Sequence, residues 1–224
     1  MDENCVCSAV FTQSSFAAAP VLISREHLKD ESSRYILVNS GNANAATGNE
    51  GFENAIRCCE SVAEIAGLKK EAVLPFSTGV IGEPLNYQKI QNAIPSLFEK
   101  LAADGWVDVA RAIVTTDTTI KISSHEIEIG DKAVKITGVA KGSGMIQPNM
   151  ATMLSFLATD ALIDRKVLDK IISEVCEKTF NRITVDGDTS TNDACVLIST
   201  GLSGVDCNNS CLLYTSDAAD DGVG

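Results

Sequence analysis

The sequence predicts a mixed α/β (α+β) fold, on three observations. Helical and strand-like periodicities alternate along the chain, no internal repeat of roughly 20–50 residues is present, and no Pro- or Ser-rich linker divides it. With 224 residues, 45% hydrophobic and 21% charged, the chain suffices for one large domain or two small ones. At this size roughly 70% of the unfolded surface is buried on folding, so neither disulfides nor a metal is needed to stabilise a core.

Taken in order, Tyr35-Ile36-Leu37-Val38 is a short buried strand that runs into a Gly/Asn loop, Ser40-Gly41-Asn42-Ala43-Asn44. Phe52, Ile56, Cys59, Ala63 and Ala66 recur at helical spacing, and Gly67 is the stop signal. Val73 to Phe76 is strand-like and enters a turn at Ser77-Thr78-Gly79. Ile90, Ile94, Leu97 and Leu101 form a second helical face that Pro95 interrupts, and Trp106, Val109, Ala110 and Ile113 form a third. His125 to Ile136 alternates around Gly130-Asp131, a hairpin signal. Met153 to Leu157 reads as a strand. Asp164 then opens a helix whose Val167, Leu168, Ile171, Ile172 and Val175 face inward, and Ala194 to Ser199 is a closing strand.

Charge narrows the partners. Eighteen basic against thirty acidic residues give a formal net charge of −12. That sign argues against phosphate-backbone binding and against docking on anionic membranes, and favours a small-molecule partner. The eight cysteines contain no Cys-x-x-Cys, and with only two histidines they argue against a zinc site; no metal is expected. Cys58 and Cys59 are adjacent in a helical pattern, while Cys176 and Cys195 lie in apolar segments, as reduced core-filling thiols of a cytosol-like compartment would. Acidic residues occupy Met1-Asp2-Glu3-Asn4, where a secretory signal would be basic. The uncharged stretch Gly142 to Thr159 holds Gln147, Pro148 and Asn149, unlike a membrane span. Cys211 to Asp221 read like a translated sequencing adapter, so Cys211 to Gly224 are set aside as non-native, with the natural chain broken off near Ser210; a disordered acidic terminus is the other reading.

For chemistry, a Ser-His-Asp triad would need His27 or His125, and both read as surface residues, His27 at a helix start. Gly142 to Gln147 fails the dinucleotide fingerprint at its third glycine, and no phosphate loop is present. Asp186 to Asp193 is the densest polar cluster. It fails as a calcium loop, with Thr191 and Leu197 at the sixth and twelfth positions. It also fails as an Asp-x-Asp-x-Thr phosphoryl-transfer motif, with Ser190 in fifth place, and reads as a tight polar turn. The segment from Gly142 to Thr152 ends in Ala-Thr just ahead of an apolar strand. A threonine hydroxyl needs a base beside it. Cleavage before Thr152 would supply one, because a freed α-amine titrates near ~7.7–8.0, whereas a lysine at ~10.4 stays protonated at neutral pH. Thr152 could itself attack the Ala151 carbonyl to open the chain. On the residues alone, Ala151-Thr152 reads rather as the ordinary beginning of a core strand, since Ala-Thr before a strand is common.

Five motifs occur in one order: Ser40-Gly41-Asn42-Ala43-Asn44-Ala45, Ser77-Thr78-Gly79-Val80-Ile81-Gly82-Glu83, Thr115-Thr116-Asp117-Thr118, Lys141 to Leu154, and Asn181 to Asp193. Together they resemble the ornithine acetyltransferase family, or bifunctional glutamate N-acetyltransferases, of arginine biosynthesis, from about Cys7 to Gly204. The resemblance implies a layered α-β-β-α-like sandwich and self-cleavage between Ala151 and Thr152. It implies that Thr152 is the nucleophile and carries acetyl as an ester, that Thr78 and Gly79 form the oxyanion hole, and that Lys141, Thr115 and Thr152 contact substrate. Thr116 replaces Thr115 if the register slips by one. The implied reaction is ping-pong: N-acetylornithine acetylates Thr152, ornithine leaves, and glutamate takes the acetyl group. Some members also use acetyl-CoA as donor; no other cofactor is implied.

The resemblance further implies residues 1–151 as the first (α) chain, shortened at its N-terminus, 152–210 as the start of the second (β) chain, and 211–224 as the foreign tail. Two copies of each cleaved chain would assemble into a heterotetramer, in the cytoplasm or, for a fungal or other eukaryotic source, the mitochondrial matrix. A family glutamate and C-terminal polar contacts to substrate would fall beyond Ser210. Two other classes are weighed alongside: an N-terminal-nucleophile hydrolase such as an aminopeptidase, with water as acceptor, and a non-catalytic binding domain.

Overall fold

Strict two-residue alternation builds the centre of the molecule. In the computed structural model, which describes residues 1, 4–30, 32–144, 153–183 and 188–208, two sheets lie face to face. The larger contains β1 (Val6–Phe11), β4 (Lys121–Ile129), β5 (Lys132–Lys141), β6 (Leu154–Thr159) and β7 (Ala194–Ser199), ordered β1-β7-β6-β5-β4. Only the β6–β7 pair is parallel. The smaller sheet pairs β2 (Tyr35–Asn42) in parallel with β3 (Val73–Val80).

Successive side chains of each strand enter different cores, as the pleat requires. Ala194, Val196 and Ile198 of β7 join Leu154 and Phe156 of β6 and meet Leu74 and Phe76 of β3 between the sheets. Phe76 and Phe156 pack edge to face across that interface, their centroids 5.1 Å apart, a geometry that adds about 0.5–1.5 kcal/mol beyond the buried area. The alternate β7 residues, Cys195 and Leu197, turn outward onto Leu168, Ile172 and Cys176 of α5 (Arg165–Lys178). On the far side, Val73 of β3 meets Ile23 of α1 (Ala19–His27), Ala55, Cys59, Val62 and Ala63 of α2 (Gly48–Ala66), and Ile94 of α3 (Tyr87–Glu99). Finally, α4 (Trp106–Ile113) inserts Ala110 and Ile113 into the inter-sheet core. The order is helices, small sheet, large sheet, helix, the α-β-β-α layering that was expected.

Several local expectations are corrected. β1 and α1 carry no periodicity that the sequence reading singled out. His27 is the last residue of α1 rather than a helix start, and it is buried, with Nδ1 2.7 Å from the Val73 carbonyl. Strand pairing runs past Val38 and Phe76, through Ser40↔Thr78 and Gly41↔Gly79, so both expected turns are strand ends. Pro95 sits inside α3 without ending it, and Leu101 lies beyond the helix and is exposed. Val175 of α5 faces solvent. The expected Gly67 stop holds, at φ 66°, as does the Gly130 hairpin turn at the same φ. His125 is exposed, on β4. Seven described cysteines are free thiols, six of them buried. Among the described residues no helix is long and apolar enough to cross a membrane, and no cluster of His, Cys, Asp or Glu is arranged to hold a metal. Residues 211–224 lie outside the described residues.

Candidate active site

At one end of the sandwich β2, β3 and β5 finish while β6 and β7 begin, and the layers part around a cavity of about 730 Å³. Thr78, Gly79, Thr115, Lys141, Met153 and Asp193 are among its lining residues. Three residues singled out by the family resemblance meet there. Lys141, the last residue of β5, donates from Nζ to Thr78 Oγ1 at 2.8 Å and to Thr115 Oγ1 at 3.0 Å. The neighbouring Thr116 hydroxyl instead pairs with Ser143 Oγ at 2.7 Å, so it is Thr115 that touches Lys141. Burial lowers the pKa of Lys141, while Asp117 and Asp193 act to raise it.

Two supports hold these groups in place. Asp117 has a fully buried side chain that accepts from Gly142 N–H at 2.8 Å and Thr115 N–H at 3.5 Å, and it pairs with Lys121. It therefore ties the loop bearing Thr115 to the strand end bearing Lys141. Burial pushes its pKa up, but the hydrogen bonds from Lys121, Gly142 and Thr115 together hold it below the usual carboxylate value. Asn192 is the second support: Nδ2 donates to Ala43 O at 2.6 Å and Ser77 O at 2.9 Å, strapping the Asn-rich segment after β2 to the strand end that carries Thr78.

Gly79 shows why this strand end needs glycine. Its φ is 136°, and a Cβ there would lie 2.2 Å from Gly41 C and 2.5 Å from Asn42 N, both backbone atoms. The pairing register slips at the same point, with Asn42 opposite both Thr78 and Val80, as happens where a ladder is re-aimed beside a site.

Asp193 is 3% exposed and lines the cavity. Burial raises its pKa to about 8, opposed by hydrogen bonds from Ser190 and the Met153 N–H and by the Lys141 charge. Its Oδ2 has no hydrogen-bond partner among the described residues.

Ala151 and Thr152 lie outside the described residues; Met153, which follows Thr152 in sequence, lines the cavity. His27 and His125 take no part in it. Sequence reasoning missed Asp117, Asn192 and Asp193 as site residues. The signal was present: Asp117 is the acid of the Thr-Thr-Asp-Thr motif, and Asn192-Asp193 closes the polar cluster that was read as a mere turn.

Comparison with known proteins bears on this geometry. The model of the ArgJ family matches residues 1–219. The chain is 54% identical over 198 residues to the arginine biosynthesis bifunctional protein ArgJ of Methylococcus capsulatus, covering 88% of this chain and 48% of that protein. To the protein of the same name from Psychrobacter arcticus it is 50% identical over 199 residues, covering 89% and 49%. The chain thus spans about half the length of the curated relatives it matches. Among solved structures it resembles an arginine biosynthesis bifunctional ArgJ protein from Bacillus halodurans, with TM-score 0.57 and 37% identity over 64% of this chain and 75% of that one. An ornithine acetyltransferase from Mycobacterium tuberculosis, complexed with ornithine, gives TM-score 0.54 and 28% identity over 63% and 75%. A match along nearly the whole sequence, at about half identity to its relatives, is decisive: the chain belongs to the ArgJ family.

Proposed function

We propose that this chain forms part of an acetyltransferase of arginine biosynthesis that moves an acetyl group from N-acetylornithine to glutamate. The observation that carries the reading is the Lys141 ammonium held between the Thr78 and Thr115 hydroxyls on a cavity that Met153 also lines. The relatives' names point to arginine biosynthesis, and one structural neighbour was solved with ornithine.

In this reading the Thr152 hydroxyl attacks the Ala151 carbonyl, and the peptide C–N bond breaks as its nitrogen takes the hydroxyl proton. Water hydrolyses the resulting Ala151 ester, leaving a carboxylate on Ala151 and, on residue 152, a free hydroxyl and an α-amine able to accept its proton. The Thr152 oxygen then adds to the acetyl carbonyl of N-acetylornithine. Negative charge grows on the carbonyl oxygen, and donors at Thr78 and Gly79 stabilise it; one such donor is worth ~2.7–4 kcal/mol. Collapse breaks the C–N bond, the amine leaves with the proton held at residue 152, and an acetyl ester remains. The glutamate amine attacks that ester by the reverse sequence. Lys141 acts as a point charge for a substrate carboxylate, with Thr115 beside it. Acetyl-CoA would enter only as an alternative donor. The curated relatives are about twice as long as this chain, and the cleaved chains would assemble as a heterotetramer in the cytoplasm.

Full-length protein tests this directly. Mass spectrometry should find a new N-terminus at Thr152, and incubation with N-acetylornithine should add acetyl to that residue. Thr152→Ala should abolish cleavage and transfer together, while Thr152→Ser should retain part of each. Cleavage in Thr152→Ala would overturn the nucleophile assignment. Release of acetate with glutamate unmodified would identify a hydrolase.

A further inference from the structure

Asp193 is a buried acid for which the transfer mechanism above has no use. Its backbone is fixed from two sides: its carbonyl accepts from Thr12 N–H at 2.9 Å, and the next residue, Ala194, donates to Met153 O at 3.0 Å. The residue is 3% exposed, yet it borders the cavity. Ser190 and the Met153 N–H hydrogen-bond to the carboxyl, while Oδ2 is left unpartnered among the described residues. Buried carboxyl oxygens are rarely left unmatched, because desolvation without a partner is unfavourable. Lys141, the charged group that acts on Asp193 from β5, does not fill this role; it gives its N–H groups to Thr78 and Thr115. Lys141 is itself bracketed by Asp117 and Lys121, and β6 and β1 bring Met153 and Thr12 rather than charges. The cavity wall therefore carries a cation with a third N–H beyond its bonds to Thr78 and Thr115, and an acid whose Oδ2 is shielded from solvent and unmatched. An amino acid carries the complementary pair, a carboxylate and an ammonium.

We infer that Asp193 Oδ2 is the seat for the ammonium group of an amino-acid substrate, opposite the carboxylate end held by Lys141. The inference rests on the proposed acetyl transfer only for the identity of the ligand as an amino acid. Proton balance gives the binding step a signature. Burial pushes the Asp193 pKa to about 8, so the empty site is mostly a neutral carboxyl at neutral pH. An arriving ammonium displaces that proton to solvent, and the resulting carboxylate accepts the ligand's N–H. Binding near neutral pH thus releases close to one proton per ligand, and well above the Asp193 pKa it releases none.

The test is calorimetry on the full-length protein with ornithine and with pentanoate, the same five-carbon acid lacking both amines. Asp193→Asn, which keeps the shape and an acceptor for the Met153 N–H, should weaken ornithine about tenfold or more and leave pentanoate within about twofold. In wild-type protein, titrations in two buffers of different ionisation enthalpy should show proton release with ornithine and none with pentanoate, a readout that needs no variant. Equal weakening of both ligands, no weakening of ornithine, or equal proton release with both would overturn the assignment. No acetyl donor is present, so failed acetyl transfer beside intact amine discrimination would sink the nucleophile reading alone.

Discussion

A single ammonium organises the site at the level of residues. Lys141 bridges two hydroxyls from different elements, Thr78 at the end of β3 and Thr115 in the loop after α4, while burial weakens its charge. Hydrogen bonds to a charged group contribute about 1.5–3 kcal/mol each, roughly 10- to 100-fold in affinity. Lys141→Met keeps most of the stem and removes the charge. On the proposed mechanism it should raise KM for glutamate and N-acetylornithine by about tenfold or more, with a smaller fall in kcat, because a carboxylate contact is made in ground and transition states alike. Steady-state kinetics measure this split; an unchanged KM would remove Lys141 from substrate binding. Arginine is a poor substitute, since its planar fork cannot replace a rotating point donor between two hydroxyls.

Among elements, the strand ends rather than the strands do the positioning. Asn192 closes the segment before β7 and satisfies the carbonyls of Ala43 and Ser77, both at the edge of the small sheet. Asn192→Ala leaves two buried carbonyls without a donor. At about 1–3 kcal/mol for each unmatched group, it should lower unfolding free energy by about 2–6 kcal/mol in a urea titration. The same strap explains what the sequence showed and what it hid. β5, β6, β7, α2 and α5 were legible because apolar side chains recur at the period of their element. β1 and α1 were not: Ser8 interrupts the β1 pattern by bonding Asp169 of α5, and Ser24 of α1 is buried on the Pro75 carbonyl. Such polar side chains read as solvent-facing until their partners are known, and the same applies to His27 on Val73 O. The site divides in the same way. Thr78, Gly79, Thr115 and Lys141 were reached through motif resemblance, whereas Asp117 and Asn192 tie the site together through Gly142 and Ala43, 25 and 149 residues away, and Asp193 is held by Met153 and Thr12, contacts that local spacing does not encode.

Over the whole molecule, folding ties its own stability to the protonation of one site acid. Asp193 sits where the two sheets part, its pKa raised to about 8 by burial, against about 3.9 for an aspartate in an unfolded chain. Between those values the folded protein binds more protons than the unfolded one. Stability from this group is therefore complete below about pH 4, declines as pH rises, and stops declining above about pH 8. Asp117, whose pKa is lowered, works in the opposite sense, losing its contribution only as pH falls below the ordinary aspartate range through its folded value. Its window does not overlap that of Asp193. Self-repulsion of a chain with net charge −12 also grows as carboxyls ionise, so the wild-type profile alone would not isolate one acid. The difference between wild type and Asp193→Asn does isolate it, because every other group is common to both. Urea midpoints at about pH 5, 7 and 9 should show wild type losing ground to the variant up to about pH 8, after which the two curves run parallel. Parallel curves throughout would mean that the carboxyl titrates as it does in water, and that no unmet acid lies between the sheets.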